Sequence, residues 1–89
     1  MISEGIDAIQ SNAFNRSGLL RVRIPASVTR IESSAFCDNR LTAVVIPEYV
    51  THIGEAAFNV NRLTEVTINK FLLIGFDQNS NLLEIMYKI

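Results

Sequence analysis

The chain has 89 residues, 48% of them hydrophobic and 19% charged, with a formal net charge of −1 and a mean hydropathy of +0.24. That balance does not suggest nucleic acid or an anionic membrane as a partner, and a single cysteine, Cys37, excludes an intrachain disulfide. No run approaches the roughly 18–20 apolar residues of a membrane helix, and Met1-Ile2-Ser3-Glu4-Gly5 lacks the basic and apolar stretches of a signal peptide.

Residues 1–8 read as the tail of an incomplete coil, because a shift of 22 places Ile2 on Ile24 and Ile6 on Val28. From Ile9 onward the chain repeats itself at that step. Ile9, Ile31 and Ile53 are equivalent, as are Phe14, Phe36 and Phe58, then Leu19, Leu41 and Leu63, then Ile24, Ile46 and Ile68. A fixed period in the low twenties means a solenoid, each repeat one coil stacked on the next. The expected array is right-handed and continuous over 1–89. Its coils fall at about 9–30, 31–52 and 53–73, with partial ends 1–8 and 74–89, about 3.5 coils in all.

Within one coil, Leu41-x-x-Val44-x-Ile46 predicts a short parallel strand. Val44 and Ile46 face inward; Ala43 and Val45 face outward. Pro47 has no N–H to give to a ladder, so it ends the strand and begins a turn. Val50-Thr51-His52-Ile53 alternates again and predicts a second extended run on the opposite wall. Gly54-Glu55-Ala56-Ala57-Phe58 predicts a short helical or 3₁₀ turn, with Ala57 packed closely and Phe58 in the core. Asn39 and Asn61 stand at the bend before the next strand, with Ser17 at the matching place; such side chains bond the backbone of bends, and a stacked Asn ladder is one arrangement this column allows. The phenylalanines should form a column at the strand spacing of about 4.8 Å, each burial stabilising the stack by roughly 2 kcal/mol.

The pattern Leu41-x-x-Val44-x-Ile46-Pro47-x-x-Val50-x-x-Ile53-Gly54-x-x-Ala57-Phe58 resembles the BspA-like, or treponemal-type, leucine-rich repeat family. The resemblance covers almost the whole chain. It departs in two places: Asn39 and Asn61 stand where the family often has a cysteine, and the coils are one residue shorter than the commoner form. It implies a leucine-rich-repeat solenoid in a non-enzymatic, protein-binding protein of the cell surface or secreted space. By the same resemblance the partners would be host or neighbouring-cell surface proteins, engaged in adhesion or recognition.

Past Ile68 the rhythm slips. Ile74-Gly75 has no Ala-Phe after it, Phe76 stands as a substitute core residue, and Leu82-x-x-Ile85-x-Tyr87 restores the strand spacing at a step from Leu63 that is shorter than the repeat. Neither end carries a polar capping unit. Two readings stand: a piece of a longer array, or a chain whose open ends self-associate.

Candidate chemistry is sparse. His52 aligns with Arg30 and Cys37 with Asn15 and Asn59, so both are expected at the surface. One His and one Cys cannot build a zinc set, no partner activates the thiol, and no cofactor is expected. Asn15-Arg16-Ser17 has the glycosylation spacing. The outward strand positions carry more. They read Arg21 and Arg23, Ala43 and Val45, Glu65 and Thr67, then Glu84 and Met86. On a solenoid these line one face that passes from basic through apolar to acidic. It is either a solvated sheet surface or a protein-binding one with an apolar centre and charged rims.

Overall fold

The computed structural model describes residues 2–68. Five short strands occur in them: β1 (Ala8–Ile9), β2 (Arg30–Ile31), β3 (Ala43–Val45), β4 (His52–Ile53) and β5 (Glu65–Thr67). They form two parallel sheets, ordered β1-β2-β4 and β3-β5. Every registered pair is one full repeat apart: Ala8 with Arg30, Ile31 with Ile53, Val44 with Val66. The predicted second extended run is thus β4, and it belongs to a wall of its own.

Inward positions pack between the two sheets. Ile24, Ile31, Phe36, Leu41, Val44, Val50, Phe58 and Leu63 are buried. Phe14 stacks on Phe36 with ring centroids 5.5 Å apart and planes 5° from parallel; Phe36 stacks on Phe58 at 5.3 Å and 13°. That geometry is offset stacking, the favourable arrangement for parallel rings. Pro47 follows the strand as expected, and Val50 N donates to its carbonyl at 3.2 Å; Pro25 and Val28 repeat the turn at 3.1 Å. Gly54 lies so close to the coil before it that a Cβ there would stand 2.5 Å from Ser33 N.

The Ala-Phe segment is not helical, and no helix occurs among the described residues. Each coil instead makes two successive β-turns. In the third coil Ala57 N donates to Gly54 O and Asn59 N to Ala56 O, both at 3.2 Å. Ala56 takes φ 59°, as do Asn12 at 61° and Ser34 at 58° in the earlier coils. A left-handed residue at the third position of the first turn breaks any helical run. It also turns the peptide groups along the stack, where neighbouring coils satisfy them. Phe14 N donates to Ala35 O and Phe36 N to Ala57 O, both at 2.8 Å; Ser34 N donates to Glu55 O at 3.0 Å.

A second departure lies in the first coil. Val22 is half-buried and Ile24 buried, as the inward pattern requires, yet residues 20–24 are not laddered to β3. Gly18 takes φ 68°, whereas Arg40 and Arg62 in the equivalent place are not left-handed. Thr64 bonds Thr42 O through both its N–H (2.8 Å) and its hydroxyl (3.2 Å); Thr42 makes no such bonds to Leu20.

The asparagine column is bonded to backbone rather than amide to amide. Asn39 Oδ1 accepts from Ser17 N (3.1 Å) and Leu19 N (3.0 Å) of the preceding coil, while its Nδ2 donates to Phe14 O and Phe36 O, each at 2.9 Å. Asn61 repeats this one coil later, accepting from Leu41 N at 3.0 Å and donating to Phe36 O at 2.9 Å and Phe58 O at 3.0 Å.

Candidate protein-binding face

The face containing β3 and β5 carries the outward residues. β3 alternates exposed, buried, exposed, because successive side chains leave a pleated strand on opposite sides. Ala43 and Val45 therefore stand in solvent while Val44 enters the core. In β5, Glu65 and Thr67 are exposed on either side of half-buried Val66. The register sets Ala43 beside Glu65 and Val45 beside Thr67.

Arg21 and Arg23 are exposed one coil earlier. Arg23 Nη2 lies 3.8 Å from Glu4 Oε1, with both side chains largely in solvent. An ion pair so exposed is worth little, and Arg21 and Arg23 are both solvent-exposed cations of that segment. Leu20 and Val45 are 62% and 63% exposed, uncommon for large aliphatic side chains. Ala43, Val45, Glu65 and Thr67 are thus set side by side by the β3–β5 ladder, whereas Arg21 and Arg23 are exposed in a segment that does not pair with β3. The positions of Glu84 and Met86 lie outside the described residues. Sequence reasoning missed Glu4 and Leu20. Glu4 falls in the partial first coil, where no complete repeat indicates which way a side chain points, and Leu20 occupies a place held by threonine in the next two coils.

The other sequence candidates are dispersed. His52 is half-exposed on the opposite wall, its Nε2 3.8 Å from Glu32 Oε2; Glu32 also accepts from Arg30 Nε at 2.9 Å. Cys37 is a free, half-buried thiol. Asn15 is half-buried, and its Nδ2 donates to Asn12 Oδ1 at 3.1 Å. Among the described residues no three His, Cys, Asp or Glu side chains are grouped so as to hold a metal ion, and no helix is long and apolar enough to cross a membrane. At the N-terminal end of the stack, Ile2, Ile6, Ile9, Ala13 and Phe14 line an open apolar concavity of about 320 Å³.

These repeats have known counterparts. Residues 1–86 match the family model described as a BspA-type leucine-rich repeat region of six copies. The crystal structure of a leucine-rich cell surface protein from Faecalibacterium prausnitzii A2-165 is similar at a TM-score of 0.69 and 37% sequence identity, over 73% of this chain. The match spans 18% of that protein. No curated protein matches the sequence. With parallel rungs set one repeat apart, a stacked phenylalanine column and a family match along almost its full length, the chain belongs to the BspA-type leucine-rich repeat family.

Proposed function

We propose that the chain is a non-enzymatic protein-binding module of a cell-surface or secreted protein, used in adhesion or recognition of other cells or of host matrix. The observation that supports this reading is the β3–β5 surface, where Ala43 and Val45, the latter 63% exposed, stand beside exposed Glu65 and Thr67; exposed Arg21 and Arg23 are the equivalent positions of the coil before. Apolar side chains left in water at the centre of a charged rim are the usual make-up of a recognition patch. The similarity to a bacterial cell surface protein supports the location. Binding of the full chain to immobilised extracellular-matrix proteins, compared with a variant carrying Arg21→Glu, Arg23→Glu and Glu65→Lys, tests the proposal. The expected outcome is loss of binding with an unchanged far-UV circular dichroism spectrum. Binding that survives all three changes removes the face from the proposal.

A second reading is a structural repeat segment that contacts no dedicated ligand and associates through open solenoid ends. The apolar concavity at Ile2, Ile6 and Phe14 favours it. Light scattering on an Ile6→Asp variant separates the two readings: association through that end is lost, while matrix binding by the outward face is kept.

A further inference from the structure

We infer that the seam between residues 20–24 and β3 is a rung that closes. The chain exchanges between the open seam and a form in which residues 20–24 pair with β3 as β3 pairs with β5, and Gly18 is the hinge that permits the open form. The seam is bounded. At one end Arg40 N donates to Leu19 O at 2.8 Å, and at the other Thr51 N donates to Thr29 O at 2.9 Å. Between these points no hydrogen bond joins the first coil to the second along this wall. The next pair of coils is bonded through the same stretch: Arg62 N to Leu41 O at 2.9 Å, Thr64 N to Thr42 O at 2.8 Å and Ile46 N to Thr67 O at 2.7 Å. A segment tethered at both ends to its neighbouring coil stays within reach of it.

The groups that closing uses already face the seam. Thr42 O and Ile46 N point to β5, because they bond Thr64 and Thr67. Successive residues of a strand turn their N–H and C=O to alternate edges, so those of Ala43 and Val45 point to the opposite edge, where residues 20–24 offer them no bond. Both residues are exposed, so water reaches these groups in the open form. Val22 is half-buried and Ile24 buried; closing therefore turns peptide groups without repacking the core. Gly18 stands just before the seam at φ 68°, whereas Arg40 and Arg62, which precede the paired strands, are not left-handed. Glycine takes that conformation without steric cost, and another side chain there favours the bend of the later coils. A Cβ at Gly18 meets nothing within 4 Å, so a substitution tests the conformation and not the packing. The closed rung sets Arg21 beside Ala43 and Arg23 beside Val45, and a ligand that needs cations and an apolar centre together selects it. That last consequence rests on the reading of this surface as an interaction face; the seam does not.

Amide hydrogen exchange of the full chain, followed residue by residue by NMR with no ligand present, tests this. In the wild-type chain the Ala43 and Val45 amides are expected to be about tenfold or more less protected than the Ile46 amide, yet slower than in a free peptide. Gly18→Arg is expected to raise their protection about tenfold, together with that of the Val22 and Ile24 amides. Gly18→Asn, which tolerates the left-handed conformation, should leave exchange as in the wild type. Ala43 and Val45 amides as protected as that of Ile46 overturn the inference, because the seam is then closed; exchange as fast as in a free peptide overturns it, because the seam then never closes. A Gly18→Arg chain with unchanged exchange, or one that does not fold, also overturns it, since the closed rung is then out of reach. None of these outcomes touches the adhesion reading, and a failure of matrix binding leaves the seam as it stands.

Discussion

The Asn39 side chain holds two coils at once. Its amide is the buried polar side chain of the described core, and it satisfies two backbone N–H groups and two carbonyls at a bend where no strand ladder can reach them. Buried backbone groups without partners cost more than the net gain of the bonds they lose. Asn39→Ala is therefore expected to destabilise the chain by about 2–4 kcal/mol, measured by urea denaturation. Asn59→Ala provides the contrast: Asn59 is exposed, its Oδ1 accepts only from the neighbouring Val60 N at 3.0 Å, and its loss should cost under about 0.5 kcal/mol. The sequence showed that bends lie at Asn39 and Asn61. It did not show that each amide reaches into the coil before it, because that contact depends on how far the two bends are offset in space.

At the scale of the turn, Val60 is the anomaly. It takes φ 55° while 59% exposed, and a β-branched residue in the left-handed region is strained. Arg16 and Asp38 occupy the same conformation in the coils before, at 56° and 58°, so the turn demands it at that place in every coil. The Val60 carbonyl accepts from Asn39 N at 3.2 Å. Val60→Gly removes a steric penalty of about 1–2 kcal/mol against glycine's extra backbone entropy of about 0.5–1 kcal/mol. A net stabilisation of about 0.5–1 kcal/mol is expected, seen as a rise of a few degrees in thermal midpoint; a fall would show that the valine side chain is packed usefully. The double turn itself escaped the sequence reading. Asn12, Ser34 and Ala56 share the left-handed conformation, yet glycine stands at none of these places, and a short Ala-Ala-Phe run reads as helical by propensity. Tertiary hydrogen bonds along the stack override that propensity.

For the whole molecule, stability comes from a column whose members lean on one another. Phe36 is fully buried with a ring on each side; Phe14 is half-buried with one ring neighbour among the described residues. Phe36→Ala should cost about 3–5 kcal/mol, close to the lower end of the roughly 5–15 kcal/mol that hold a typical domain together. Phe14→Ala should cost clearly less. Circular dichroism melts of the two variants in one buffer test the difference; equal losses would mean that the end of the column is covered as fully as its middle. The outward face is a property of the same scale, since the β3–β5 register is what sets Ala43 beside Glu65 and Val45 beside Thr67.

The repeat step determined by itself which side chains are equivalent and which strands pair one coil apart. A stacked repeat needs only translation along one axis to carry one coil's pattern to the next. The tertiary structure decided what that translation cannot specify: that the Ala-Phe segment closes as paired turns, that the first coil reaches the wall without joining its ladder, and that the asparagines bond backward. Each of these depends on where a peptide group finds its hydrogen-bond partner in another coil, and a chain read in order contains the groups but not the distances between them.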